Sequence, residues 1–353
     1  MSGTANNTPS VCVMVLNYNG QRFLKDCFDS LRACTYPNFK VMMVDNLSTE
    51  NDVEYVRQHF PEVQIVQTGS NSGYSRAYNI AFNHSDAKYF VLLNNDVKVQ
   101  PDWLEHLVAA AETDETIGAL QPKIHSMVQP DHFEYAGASG GFMDYLGYPF
   151  MRGRLFFDIE KDEGQYDDEV ELFWTSGAAM FVRAEALKKS GNLDEDFVHH
   201  MEEIDLCWRL HLAGYTLKVV PKSMIYHFDG GTIKPFSFMK LYWNHRNGIF
   251  MLIKNLSSAR LLPTLMKRFT LDAINVVYSA LFRLDPKHSW AILRAYGWIF
   301  AHLGFILKKR RETQQNALVN PAEVEALFYP RSIILQYFLK GKKTFSALPK
   351  TDR

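Results

Sequence analysis

A run of five apolar residues, Tyr89-Phe90-Val91-Leu92-Leu93, stops abruptly at Asn94-Asn95-Asp96 before Val97. A strand that is apolar on both faces belongs inside a parallel sheet covered by helices on each side. In an open α/β sheet, ligands sit at the carboxyl ends of the strands. Asn94, Asn95 and Asp96 are therefore expected at the mouth of a site, where Asp96 offers a hard oxygen ligand for Mg²⁺ or Mn²⁺. The same residues would also serve as an Asx turn that ends a strand, so the decision falls to the rest of the chain.

Upstream, the pattern repeats. Val11 to Leu16 reads as a buried strand ending in Asn17-Tyr18-Asn19-Gly20, and Val41 to Val44 as one ending in Asp45-Asn46-Leu47-Ser48. Between them, Phe23, Leu24, Cys27, Phe28 and Leu31 mark one face of a helix from about Gln21 to Ala33. A short helix (Asp52 to His59), a third strand (Val63 to Val66) and a helix through Arg76, Asn79 and Phe82 complete the series. Strands alternating with helices imply crossover units and a mostly parallel central sheet flanked by helices. Neither a GxGxxG nor a GxxxxGK[ST] phosphate loop is present, which disfavours a dehydrogenase and a P-loop kinase.

The 353 residues allow one large domain and a smaller one, and their net charge of −1 conceals a split. From Lys240 to Arg311 there are 13 Lys or Arg against 2 Asp or Glu, a local +11 that leaves −12 for the remainder. Such a split points to an anionic partner at one end. Cys12, Cys27, Cys34 and Cys207 show neither a CxxC pair nor zinc spacing and read as buried hydrophobes in a reducing compartment. Met1 to Ser10 is polar and resembles no signal peptide, so a cytoplasmic location is expected. The segment from His132 to Asp168 is rich in Gly, Tyr and acidic residues without clear periodicity, and reads as a long loop or lid.

Six blocks in order carry a resemblance covering roughly Ser10 to Gly231. They are Leu16-Asn17-Tyr18-Asn19-Gly20, Val44 to Thr49, Asn71-Ser72-Gly73-Tyr74, Asn94-Asn95-Asp96, Ser176 to Met180, and Glu202 to Arg209 followed by His227. Together they resemble the inverting nucleotide-sugar glycosyltransferases of family 2, which have the GT-A fold, in a rhamnosyltransferase-like form. The resemblance implies a GT-A catalytic domain over 1–235, with a nucleotide-sugar half near 10–100 and an acceptor half near 101–235. It implies that Asn17, Tyr18, Asp45, Asn46, Ser48, Gly73, Arg76, Asn94 and Asn95 serve the donor, Tyr18 and Asp45 at base and ribose and Arg76 at the diphosphate. Asp96 and His227 would hold the metal, although Asn94 stands where a two-Asp element would have a carboxylate. Gly177, Asp194 and Glu195 fall on the acceptor side.

The resemblance also assigns Glu203 as general base, with Glu202 as its rival and Asp205 capping or orienting. An acceptor hydroxyl must lose its proton as it attacks the anomeric carbon, and a carboxylate within hydrogen-bond reach serves that need. Three acids at a helix start are also what the helix dipole alone favours. Beyond Phe236 the blocks stop, and 236–353 reads as a basic, amphipathic helical region. Trp290 to Leu307, followed by Lys308-Lys309-Arg310-Arg311, contains Arg294 and His302 and is marginal as a membrane span. It reads rather as an interfacial helix, with 240–311 touching an anionic membrane at the inner face of the cell membrane. No nucleic-acid reader motif accompanies the basic residues, so a nucleic-acid partner is not expected.

Three functions stay open on these residues. One is a metal-dependent inverting transferase that moves a sugar such as rhamnose from a dTDP- or UDP-sugar to a saccharide or lipid-linked acceptor in cell-surface polysaccharide synthesis. The second is a sugar nucleotidyltransferase, which would want a basic Gly-rich loop where Leu16 to Gly20 has no Lys or Arg. The third is a non-catalytic saccharide-binding protein of the same fold.

Overall fold

The apolar run of Tyr89 to Leu93 does lie at the centre of a sheet. A computed structural model describes residues 8–228 and 237–350. In it, β1 (Val11–Asn17), α1 (Gln21–Arg32), β2 (Phe39–Asp45), α2 (Asp52–His59), β3 (Gln64–Gln67), α3 (Gly73–Phe82) and β4 (Tyr89–Asn94) follow one another as crossover units. Then come β5 (Val97–Val99), α4 (Trp103–Ala111), β6 (Ile117–Ser126), and four short strands, β7 (Gly141–Met143), β8 (Pro149–Met151), β9 (Arg154–Leu155) and β10 (Asp158–Ile159). The chain continues through β11 (Ala179–Arg183), α5 (Ala184–Ser190), α6 (Glu202–Leu212) and β12 (Thr216–His227). Helices α7 (Phe238–Asn255), α8 (Ser258–Leu281), α9 (Pro286–Ala301) and α10 (Leu303–Gln315) follow.

The main sheet has the order β3-β2-β1-β4-β11-β6-β12-β5. β3, β2, β1 and β4 are parallel, whereas β11 runs antiparallel to both its neighbours and β5 antiparallel to β12. Alternation explains the uninterrupted apolar strands. Val11, Val13 and Val15 enter one core cluster and Cys12 and Met14 the other, and β4 divides in the same way. From β1 the chain steps outward to β2 and β3, then returns to place β4 on the other side of β1. The gap between the carboxyl ends of β1 and β4 is thus a topological switch point, where ligands of α/β sheets bind. Register sets Leu16 opposite Asn94 and Asn17 opposite Asp45, so the polar strand ends meet there.

Three expectations are corrected. The segment 132–168 is no structureless loop: β10-β9-β8-β7 form a second, four-stranded antiparallel sheet. Its Phe150 and Leu155 pack with Ile333, Tyr337 and Leu348, contacts too distant in sequence to leave a periodic signal. Trp290 to Leu307 is not one helix, because α9 and α10 meet at His302 with a 72° bend. Among the described residues no single helix is long and apolar enough to cross a membrane. The C-terminal charge is also partly consumed indoors, since Lys254, Arg268 and Lys309 have internal partners. The boundary expected at 235–236, and Gly231, lie outside the described residues. Beyond that boundary, Phe250, Met251 and Leu252 of α7 are fully buried in the same cluster as Met14 and Leu92.

Candidate active site

A cleft of about 560 Å³ opens at the switch point. Leu16 and Tyr18 at the end of β1, Asn46 after β2, Asn71, Gly73 and Tyr74 at the start of α3, and Asn94, Asn95 and Asp96 at the end of β4 line one side. Ser176, Gly177, Glu202, Glu203, His227 and, from α7, Lys240 and Asn244 are among the residues that line the rest. Gly73 has φ +80°, and a Cβ there would lie 2.8 Å from the Val198 carbonyl oxygen, so only glycine fits. At Gly177 a Cβ would stand 3.0 Å from the Tyr74 hydroxyl and 3.6 Å from Cβ of Glu203. The backbone is thereby kept low beside Glu203.

Asp96 and His227 meet because His227 ends β12 opposite Val97, the first residue of β5. Nε2 of His227 lies 3.1 Å from Oδ1 of Asp96 and its Nδ1 lies 3.1 Å from Oε1 of Glu134. Burial opposes a charge on this imidazole, but the two flanking carboxylates outweigh it and raise His227 to about 10. Oδ1 of Asp96, Nδ1 of His227 and Oε1 of Glu134 are all buried without a well-aligned hydrogen bond. Two donors bound at right angles to one cation at about 2.1 Å stand about 3 Å apart, the spacing found between Asp96 and His227. Glu134 would then orient the imidazole as an outer carboxylate. The residues fit a hard divalent cation, which would have to displace the proton from Nε2 of His227 to bind there. Among the described residues no three His, Cys, Asp or Glu side chains form a ready cage, so the remaining ligands must come from elsewhere.

The residues expected on the donor side divide into a lining and a frame. Asn46 both lines the cleft and accepts hydrogen bonds from Ser72 N at 3.2 Å and Thr68 Oγ1 at 3.1 Å. Asn17 is buried below the cleft, donating to Asp52 Oδ2 at 2.7 Å and Ser48 Oγ at 3.2 Å and accepting from Asn95 Nδ2 at 2.6 Å. Ser48 in turn accepts from Asn19 N, and the fully buried Asp52 accepts from Gly20 N at 2.8 Å. Asp45 is buried, with both carboxylate oxygens 3.4 Å from Ser48 N. The geometry thus puts Asn17, Asp45 and Ser48 in the frame, while Arg76 is exposed on α3 and is not one of the residues lining the cleft.

On the opposite side, Glu202 and Glu203 begin α6, with Glu202 buried and Glu203 half-buried. Burial raises both carboxyls. The charge of Glu203 pushes Glu202 well above the usual range, and Glu203 itself rises to about 7. Asp205 does not reach the cleft. It is fully buried and accepts from Arg209 Nε, Lys254 Nζ and Asn255 Nδ2, each at 2.8 Å, which hold its carboxyl low despite burial.

Asp194 and Glu195 are likewise elsewhere, lining a separate cavity of about 550 Å³. Lys254 at 2.6 Å and Lys309 at 3.0 Å bind Asp194, and against the effect of burial they keep it well below the usual carboxylate range. Glu195 accepts from Asn79 Nδ2 at 3.0 Å. Both residues tie elements together, Asp194 joining α7 and α10 to the turn before α6.

That turn is strained. Val198, His200 and Met201 have φ of +63°, +66° and +72°, costly for residues with side chains. Nδ2 of Asn247 on α7 holds the turn, sharing its two N–H groups among the carbonyls of Phe197, His199 and His200 at 2.8, 2.7 and 2.7 Å. Asn247→Ala should release it, lowering kcat/KM about tenfold or more through misplacement of Glu203. It should also cost about 1–3 kcal/mol in thermal unfolding, the scale for carbonyls left unsatisfied. Glu134, Asp52 and Asn247 escaped detection in the sequence: Glu134 lies in the aperiodic segment, Asp52 reads as a helix start, and Asn247 follows the last block.

The profile of Glycosyl transferase family 2 matches residues 10–189, more than half of the 353. The N-acetylglucosaminyl-diphospho-decaprenol L-rhamnosyltransferase of Mycobacterium tuberculosis is 29% identical over 233 residues, 61% of this chain and 75% of that protein. Rhamnosyltransferase WbbL of Escherichia coli K12 is 23% identical over 241 residues, 66% of this chain and 89% of that one. Among solved structures, Staphylococcus aureus TarS 1-349 aligns with a TM-score of 0.54 at 16% identity, over 90% of this chain and 83% of that one. GalNAc-T7, solved with UDP, GalNAc and Mn²⁺, aligns with a TM-score of 0.59 at 14% identity, over 84% of this chain and 58% of that one. These structures share the fold. The chain belongs to glycosyl transferase family 2 and has the GT-A fold.

Proposed function

We propose that this glycosyltransferase moves a sugar, with rhamnose the first candidate, from a dTDP- or UDP-sugar to a saccharide or lipid-linked saccharide acceptor, inverting the anomeric carbon. Cell-surface polysaccharide synthesis is the process this serves. The observation that carries the reading is one cleft with Asp96 and His227 on one wall and Glu203 on the other. Two relatives named rhamnosyltransferases, one of them for a decaprenol-linked saccharide, support the sugar and the acceptor class.

Asp96 and His227 would hold Mg²⁺ or Mn²⁺, which when bound neutralises charge developing on the leaving diphosphate. Tyr18, Asn46 and Asn71 lie where a nucleotide would rest. An ionised Glu203 accepts the proton of the attacking hydroxyl, while Glu202, kept protonated by burial and by its neighbour, cannot take a second one. Asn17, Ser48 and Asp52 hold the donor-side loops in register. The basic helices of 240–311 suit peripheral attachment to an anionic membrane at its inner face, where a lipid-linked acceptor would be met.

The test is a panel of dTDP-, UDP- and GDP-sugars offered with Mg²⁺ or Mn²⁺ and membrane extract as acceptor source. Metal-dependent release of nucleotide diphosphate from one donor is expected. Donor binding without release under every condition would favour the saccharide-binding alternative.

A further inference from the structure

Apart from Leu261 and Leu265, half-buried against the core, helix α8 is built inside out. The four side chains it buries are Thr264, Arg268, Asp272 and Ser279, all polar. Three of them have hydrogen-bond partners within the fold. Arg268 Nη1 donates to the carbonyls of Leu146 and Gly147 at 3.2 and 3.3 Å, Asp272 accepts from Tyr296 at 2.8 Å, and Ser279 donates to Asn275 at 3.1 Å. Meanwhile Leu262, Met266, Phe269 and Val277, spaced to share one helical face, are exposed by 67, 64, 54 and 53%. A helix bordered by water would show the reverse polarity.

Helix α9 extends the same surface. Its Leu293 and Phe300 are 51 and 68% exposed, while Ala291 and Ala295 pack on Tyr242 of α7. The ring of Tyr296 joins the two stripes, lying 5.6 Å from Phe269 and 6.4 Å from Phe300. Exposed Lys267, Arg283, Lys287 and Arg294 flank these stripes, whereas the acids of α8 and α9 and their connection are the buried Asp272 and the helix cap Asp285. Two copies meeting through this face would set cations against cations. An anionic bilayer supplies both the apolar interior and the opposite charge.

We propose that the α8–α9 hairpin inserts its apolar face into the headgroup and acyl boundary of an anionic membrane, as a shallow anchor that does not span it. The inference rests on the lipid-linked acceptor reading and specifies the surface and the depth. It also gives α7 a role, since this helix carries α9 on one part and offers Lys240 and Asn244 to the cleft on another. The mouth of the cleft is thus tied to the membrane plane through one helix.

The experiment is flotation of the full chain with phosphatidylcholine–phosphatidylglycerol vesicles at low and high salt, beside the double variant Met266→Glu/Phe269→Glu. A second readout is quenching by brominated lipid, compared between the parent and Trp290→Phe. Insertion predicts binding that weakens but persists at high salt, and a partition coefficient about tenfold or more lower for each apolar side chain replaced. It also predicts brominated-lipid quenching that falls when Trp290 is removed. Nucleotide diphosphate release with a short water-soluble acceptor should be unchanged in the double variant, so loss of anchoring and loss of the transferase reading are distinguishable. Absence of vesicle binding, binding abolished by salt, or equal binding by the double variant with a native circular dichroism spectrum would each overturn the proposal. So would a concentration-dependent dimer that the double variant dissolves, because a second copy would then cover the face.

Discussion

Glu203→Gln should lower kcat by about 10²–10⁴-fold while leaving the affinity for donor near that of the parent. The amide keeps the size and a hydrogen-bonding oxygen but loses the basicity that the attacking hydroxyl needs. Burial at the start of α6 raises Glu203 to about 7, which makes it a stronger base at neutral pH than an ordinary carboxylate. Since the ionised form is the active one, kcat/KM should fall about tenfold per pH unit below about 7 and level off above it. Glu202→Gln removes a carboxyl already protonated, which places no charge beside its neighbour, so the limb near pH 7 should stay where it is. Steady-state kinetics across pH with both variants separates the two carboxyls. Turnover that survives Glu203→Gln but not Glu202→Gln would leave a transferase standing and move the base back by one residue.

Asp96→Ala should abolish metal-dependent turnover, with a loss of about 10²-fold or more, because a bound cation contributes several kcal/mol of charge stabilisation at the leaving group. The variant also removes one of the two side chains proposed to hold the cation. Calorimetry should therefore show that Mn²⁺ no longer strengthens nucleotide diphosphate binding to Asp96→Ala. Glu134→Gln touches the imidazole rather than the cation and should weaken metal affinity by about 10–100-fold. An Asp96→Ala protein whose binding and turnover still respond to Mn²⁺ would place the metal elsewhere.

The N-terminal part of the sheet was legible because its signal is local. Apolar strands that end in Asn, Asp or Ser, separated by helices of regular spacing, expose both the sheet and the edge where its polar groups converge. Asn94, Asp96, His227, Glu202 and Glu203 do share one cleft. What stayed hidden depends on long-range pairing. Asp194 and Asp205 look like acids near a catalytic helix, and only the fold reveals that Lys254 lies between them. Glu134 carries no motif, and its role follows from β12 delivering His227 beside it. The basic C-terminal stretch looked uniformly available, whereas Lys254, Arg268 and Lys309 turn inward and the exposed positions on α8 are largely apolar. Periodicity records that a helix has two faces, and packing decides which of them is covered.

The most direct measurement is the anomeric configuration of the product, read by proton NMR from the one donor that turns over. A single displacement, with Glu203 taking the acceptor proton on the side opposite the diphosphate, predicts a linkage of configuration opposite to that of the donor sugar. A retained configuration would contradict the account, because one displacement driven by one base in this cleft cannot produce it.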